Sequence, residues 1–315
     1  MDSGNNEIVF DLGYFRLYKD GRVHRADGLD ATAPAGFDAA TGVTSRDVVI
    51  DAGTGVAARL YLPTIRDPAT KLPVLVFFHG GAFVIGSPGL PVFHDYANNL
   101  VASARVVAVS VRYRLAPEHL LPAAYDDAWA ALNWAVSGAD AWLSDHGDLG
   151  RVFVAGVSAG ANIAHNVAMT AGVNGLRAAE PRACIEGVIL LHPSLSGKQR
   201  MEEEEEFWLA NNKRWTAIFP GAKDGPDDPR INPMAAGARS MAKLAGERLL
   251  VCTASEDPRA PRGRAYRDAV RASGWRGEVE WFESNGEGHG FFIPDPSGGE
   301  AAKLMDRVVG FVAGH

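Results

Sequence analysis

Five short apolar runs restrict the fold more than any other feature of this chain: Val74–Phe78, Val106–Val111, Val152–Ala155, Val188–Leu191 and Leu249–Cys252. Each is continuous, and most of its residues are β-branched or aliphatic. A strand with one wet face would alternate apolar and polar residues, whereas continuous runs suit strands covered on both faces, as in a parallel sheet. Between them lie stretches with helical spacing, over Ala123–Val136, Ala159–Met169, Arg262–Ala272 and Glu300–Val312. In the second, Ile163, Ala164, Val167 and Ala168 share one face. This alternation predicts an α/β fold with a mainly parallel sheet flanked by helices.

The part before Val74 reads differently. Val48–Ile50 and Val56–Leu62 form an expected antiparallel pair around the turn-rich Asp51–Gly55. Phe15–His24 has the makings of another hairpin around Asp20-Gly21, and Ala26–Thr44 reads as a loop. One insertion interrupts the later alternation, from His192 to about Pro233. Its acidic run Glu202–Glu206 suits a solvated helix start, and the aromatic residues after it could line a pocket. The length of 315 residues fits one large domain, residues 1–315.

Composition excludes several classes. A net charge of −7 gives no basic surface for nucleic acid. No stretch approaches the ~20 apolar residues of a membrane span, and the polar start Met1–Glu7 is unlike a signal peptide. The expectation is a cytoplasmic protein, with the nucleus also open to it, as a monomer or homodimer. Cys184 and Cys252, each beside an apolar run, read as reduced core residues. There is no His-Glu-x-x-His, no Cys/His cluster and no Gly-Lys-Ser/Thr phosphate loop, so neither metal nor cofactor is expected.

Three pieces carry chemistry. Gly156-Val157-Ser158-Ala159-Gly160 lies between a strand and a helix, the setting of a nucleophile elbow. The turn is too sharp for side chains at its flanks, and it lifts the Ser158 hydroxyl out of the sheet above a helix N-terminus. His79-Gly80-Gly81-Ala82-Phe83 directly follows the first run. Its glycines let the backbone approach a substrate, so N–H groups of Gly80 and Gly81, with that of Ala159, would form an oxyanion hole. The His79 side chain reads as structural. Asp257 follows the run Leu249–Cys252, and His289 lies in the flexible Gly286–Phe291. The order serine, acid, histidine is the one this fold uses. His289 would take the proton of Ser158, and Asp257 would hold the imidazole. Glu256 and Glu283 are competing acids. His94, His119, His165 and His192 read as structural or surface residues.

With these pieces in order, the chain resembles the plant carboxylesterase branch of the hormone-sensitive-lipase-like α/β-hydrolases. That branch also contains the gibberellin receptor and 2-hydroxyisoflavanone dehydratase. The resemblance rests on His79-Gly80-Gly81, Tyr113–His119 with Pro122–Ala124 and Asp126–Ala128, Trp142-Leu143 with His146–Asp148, Gly156–His165, Asp228–Pro233 and Gly286–His289. It implies the α/β-hydrolase fold, with a mainly parallel sheet of about eight strands. It also implies a cap made by residues 1–44 and the 192–233 insertion, with Phe10, Leu12, Phe15 and Leu17 supplying apolar contacts. It implies hydrolysis of a small-molecule ester without a cofactor. Three positions depart from the branch. Val157 stands where Asp is usual. Asp257 is followed by Pro258-Arg259-Ala260-Pro261, where a second Asp and a leucine are usual. Ala82 stands where relatives outside plants have a third glycine. A receptor without turnover and a dehydratase are the alternatives; the receptors of this branch lack the histidine that His289 supplies.

Overall fold

The computed structural model describes residues 7–67, 69–178 and 182–314. Its twelve strands fall into two sheets. Strands β1 (Ile8–Asp11), β2 (Phe15–Tyr18) and β3 (Val23–Arg25) make a small antiparallel sheet. The main sheet begins with β4 (Phe37–Asp38), β5 (Val43–Asp51) and β6 (Val56–Pro63), all antiparallel. It continues with β7 (Leu72–Phe78), β8 (Val107–Arg112), β9 (Gly147–Val157), β10 (Ile185–Leu191), β11 (Arg248–Ala254) and β12 (Glu278–Ser284), which pair in parallel. The order across it is β12-β11-β10-β9-β7-β8-β6-β5-β4. The ninth strand beyond the expected eight is the two-residue β4, which lies inside the stretch read as loop and joins the sheet edge through Phe37 opposite Thr44.

Both faces of the parallel strands are covered, as their continuous apolar character requires. On β7, Val74, Val76 and Phe78 point to one core, and Leu75 and Phe77 to the other. Helices α2 (Ala123–Val136), α4 (Ala159–Asn174) and α6 (Ala260–Ala272) contribute to the first core; α1 (Pro91–Ala104) and α7 (Gly299–Ala313) contribute to the second. The short α3 (Ala141–His146) leads into β9. Helix α1 was not expected, although Phe93, Tyr96, Ala97, Leu100 and Val101 have the spacing of a buried face. It has no side-chain cap to announce it, only Pro91 in its first turn.

Helix α5 (Glu205–Ile218) comes from the insertion and packs on β1, joining it to the small sheet. Phe10, Phe15 and Leu17 are buried, and Phe10 stacks on Phe15. The acidic run departs from the solvated helix start expected of it. Glu204 is 1% exposed and forks onto Arg262, with Oε2 2.7 Å from Nη2. Sequence spacing gave no sign of a partner 58 residues away. The side chains of Glu203, Glu205 and Glu206 lie outside the described residues, as do residues 1–6 of the expected polar start. Both cysteines are free, but Cys184 is exposed, contrary to its reading as a core residue; it precedes β10 by one position, where the chain is still outside the sheet. Cys252 is buried. Among the described residues no helix is long and apolar enough to cross a membrane.

Candidate active site

The chain runs from β7 to β8 on one side and from β9 to β10 on the other, so the loops after β7 and β9 diverge. A crevice at such a switch point, beyond the carboxyl ends of the strands, is where open α/β sheets bind ligands. Ser158 sits there, at the end of β9. Its φ of +56° is rare for a residue with a side chain. The two flanking glycines make the turn possible. A Cβ on Gly156 would lie 2.1 Å from the carbonyl oxygen of Gly160, and one on Gly160 would lie 1.9 Å from that of Phe78. Helix α4 can therefore start directly against β7. Val157, the departure from the branch, packs in the second core with Leu191 and Phe292.

The structure brings Ser158, His289 and Asp257 together from three separate carboxyl ends. Ser158 Oγ lies 2.8 Å from His289 Nε2, and His289 Nδ1 lies 2.6 Å from Asp257 Oδ2. The carboxylate fixes the ring proton on Nδ1, which leaves Nε2 to accept from the serine hydroxyl. Burial pushes the Asp257 carboxyl up. The bond from His289, the charges of His289 and Arg259, and the Arg259 N–H outweigh this and hold it at about 2. Burial and the Arg259 cation lower His289; its bond to Asp257 and the carboxylate charge oppose them. The imidazole is thus neutral at pH 7, the form that takes a proton. The prolines around Asp257 do not displace it, for Pro261 falls in the first turn of α6, where no N–H is needed.

The glycine loop lies alongside. Gly81 has φ +114°, and a Cβ there would be 2.1 Å from the Ile85 carbonyl oxygen. No acceptor among the described residues takes the N–H groups of Gly80, Gly81 or Ala159. His79 explains part of this. Burial lowers it to about 4, so it is neutral, and its Nδ1–H donates to the Gly80 carbonyl at 2.7 Å. Since a peptide is planar and trans, a carbonyl turned toward His79 turns the Gly81 N–H away from it. Tyr113 stacks on the ring at 4.3 Å and donates its hydroxyl to the His79 carbonyl.

The remaining candidates stand apart. Glu256 is exposed, and Glu283 accepts from Thr253 and pairs with Arg264. His165 is buried on Tyr266, His94 lies against Tyr61 and Arg59, and His119 is exposed. His192 is closer than expected. Its Nδ1 accepts from the Gly290 N–H at 3.1 Å and lies 3.6 Å from Asp257 Oδ2, so it props the loop that carries His289. Burial, then the His289 charge, lowers it to about 3. Its position at the end of β10, beside the elbow strand, was the available signal. Two arginines near the site, Arg214 and Arg259, were missed altogether. A cavity of about 490 Å³ lined by Tyr125, Trp129, His165 and Arg230 shares no residue with this cluster.

A sheet with this order and a serine elbow at its switch point define an α/β hydrolase. The chain belongs to that family: residues 75–293 match its model, described as the alpha/beta hydrolase fold, in the hormone-sensitive-lipase-like group. Among its relatives, tuliposide A-converting enzyme b2 of Tulipa gesneriana is 42% identical over 319 residues, covering 99% of this chain and 81% of that one. The 2-hydroxyisoflavanone dehydratase of Glycyrrhiza echinata is 39% identical over 313 residues, covering 94% and 93%. Among solved structures, the thermophilic carboxylesterase EstE1 from a metagenomic library superposes with a TM-score of 0.73 at 28% identity, covering 86% of this chain and 88% of that one.

Proposed function

We propose that this protein is a carboxylesterase that hydrolyses small to medium carboxylic esters through an acyl-enzyme on Ser158. The reading is supported above all by the unbroken relay from Ser158 Oγ to His289 Nε2 at 2.8 Å and from His289 Nδ1 to Asp257 Oδ2 at 2.6 Å. Ser158 attacks the ester carbonyl while His289 takes its proton, and the oxyanion is met by the N–H groups of Gly80, Gly81 and Ala159. Collapse breaks the carbon–oxygen bond to the alcohol, which leaves with the proton from His289. Water then attacks the acyl-enzyme, gives a proton to His289, and the acid departs as Ser158 regains its hydrogen. Asp257 stabilises the imidazolium in both steps. Residues 7–44 and the 192–233 insertion, held together by α5 on β1, act as the cap.

Hydrolysis of p-nitrophenyl butyrate tests this. Ser158→Ala should lower kcat by about 10⁴-fold or more; a variant with full turnover sinks the assignment. One relative's name favours a second reading, a dehydratase using His289 as a general base. Product mass separates the two, since hydrolysis adds one water to the substrate atoms and elimination removes one.

A further inference from the structure

The cap buries a cation that has no counter-ion among the described residues. Arg214, on α5, is 2% exposed, and no carboxylate among the described residues lies within ion-pair distance of it. Its Nη2 donates to Ser194 Oγ at 3.0 Å and to Asn211 Oδ1 at 2.7 Å, and its guanidinium lies 4.9 Å from the Trp215 ring centroid. Its Nε is sealed off without a partner. Its Nη1 makes no hydrogen bond to a described residue and is not fully sealed off. Burial, then the Arg259 charge, lowers the group to about 9, which leaves it charged at neutral pH.

Arg214 is linked to the serine through Ser194. Ser194, which holds Nη2, donates its own N–H to the Ser158 carbonyl at 3.1 Å. The Arg214 charge reaches His289, and Tyr14 acts on both Arg214 and Arg259. Arg259 lies 3.5 Å from Asp257 Oδ1, with its Nε also buried and without a partner among the described residues. It occupies part of the segment where the branch usually has a second Asp and a leucine. Of the two cations, Asp257 offsets only one. A buried charge without a partner is among the more destabilising features a fold can hold, and three neutral contacts answer only part of it. A purely structural role for Arg214 would leave its Nη1 donors unused.

We propose that Arg214, with Arg259 beside it, forms a carboxylate-binding subsite, and that the preferred esters carry an anionic group apart from the scissile carbonyl. This rests on the esterase reading above. The planar guanidinium fork suits a carboxylate. The carboxylate can belong to the acyl part, as in a half-ester of a dicarboxylic acid, or to the alcohol part.

Matched ester pairs test it. For the acyl side, p-nitrophenyl hemiglutarate is compared with p-nitrophenyl valerate; for the alcohol side, 4-acetoxybenzoate with 4-methylphenyl acetate. Charged hydrogen bonds of this kind correspond to about 10- to 100-fold. The wild-type protein should favour the anionic member of one pair by about tenfold or more in kcat/KM. Arg214→Met should remove most of that preference, chiefly through KM, and Arg214→Lys should restore part of it. A measurement without any variant is competitive inhibition of valerate-ester hydrolysis, where free glutarate should act at far lower concentration than 1-pentanol. Neutral-ester turnover with no anionic preference in either pair and no selective inhibition by glutarate overturns this inference alone. A preference that Arg214→Met leaves intact in a folded variant also overturns it. No turnover of any of the four esters overturns the esterase reading and this subsite with it.

Discussion

At the carboxyl edge of the sheet, backbone meets backbone: a Cβ on Gly160 would lie 1.9 Å from the Phe78 carbonyl oxygen. In the layer above, made by β1–β3 and the 192–233 insertion, Gly221 has nothing within 4 Å of such an atom, and beside apolar contacts such as Phe10 on Phe15 the buried contacts include charged groups, Glu204 on Arg262 and Arg214 on Ser194. The edge fixes the reacting groups through hard contacts that tolerate no added atom. The cover joins apolar packing to polar side-chain contacts, which can be exchanged one at a time and so can set which molecule enters.

The sharpest way to break this contrast is a single methyl group at each place. Gly160→Ala drives that methyl into the backbone of β7, which cannot give as a side chain can. Loss of folded protein is expected, read as absent soluble expression or a collapsed Tm. Gly221→Ala should leave Tm within about 1 °C, an effect inside the ordinary range for surface changes. Equal losses at the two positions would erase the distinction between edge and cover.

A smaller effect is expected inside the cover. Glu204→Ala leaves Arg262 buried without its carboxylate, at a cost of about 3–5 kcal/mol. The pair makes no hydrogen bond to Ser158, Asp257 or His289, so denaturant midpoints should fall while the kcat of the surviving folded protein stays near wild type. A large loss of kcat with unchanged stability would place this pair at the site instead.

These two layers also divide what could be read from the residues alone. The parallel strands were visible because burial on both faces leaves continuous apolar runs; Ser158 and Asp257 stood out as candidates just after two of those runs, and His289 in its glycine-rich loop after them in the chain. Four helices were readable within a few residues at each end; α4 was the least complete, running on to Asn174. The Glu204–Arg262 pair, the prop formed by His192 and the buried Arg214 were not visible. Their meaning depends on which distant residue the fold brings up, and neither charge spacing nor periodicity records that. Likewise β4 is too short to leave a pattern, and Cys184 lies just outside β10, where one position decides between core and solvent.

Buried neutral histidines give the next prediction. His79 and His165 are held at about 4 and His192 at about 3, burial being the main cause in each. Each lies below the ordinary value of 6.5, so below pH 6.5 the unfolded chain takes up protons that the folded chain refuses. Stability is therefore full above that pH and is lost as pH falls toward 4, by about 1.4 kcal/mol per pH unit for each histidine. Urea titrations at pH 7, 6 and 5 measure the slope. His165→Gln, on the buried face of α4, should flatten it by about one proton; an unchanged slope would mean that His165 is already charged in the fold.

The smallest effect joins the two layers. Burial and the Arg259 cation lower His289, Asp257 raises it, and Arg214 in the cover lowers it further. If neutral His289 takes the proton from Ser158, kcat/KM for a neutral aryl ester is full at pH 7 and falls as the ring is protonated. The midpoint lies below the ordinary histidine value of about 6.5. Arg214→Met removes one cation from the ring's surroundings, so its midpoint should move upward. Glu256→Gln, at an exposed position, should leave it in place. The neutral ester keeps any loss of a carboxylate contact out of the measurement. An unmoved midpoint in Arg214→Met would confine that arginine's field to the cover, while a downward shift would reverse the electrostatic relation between cover and edge.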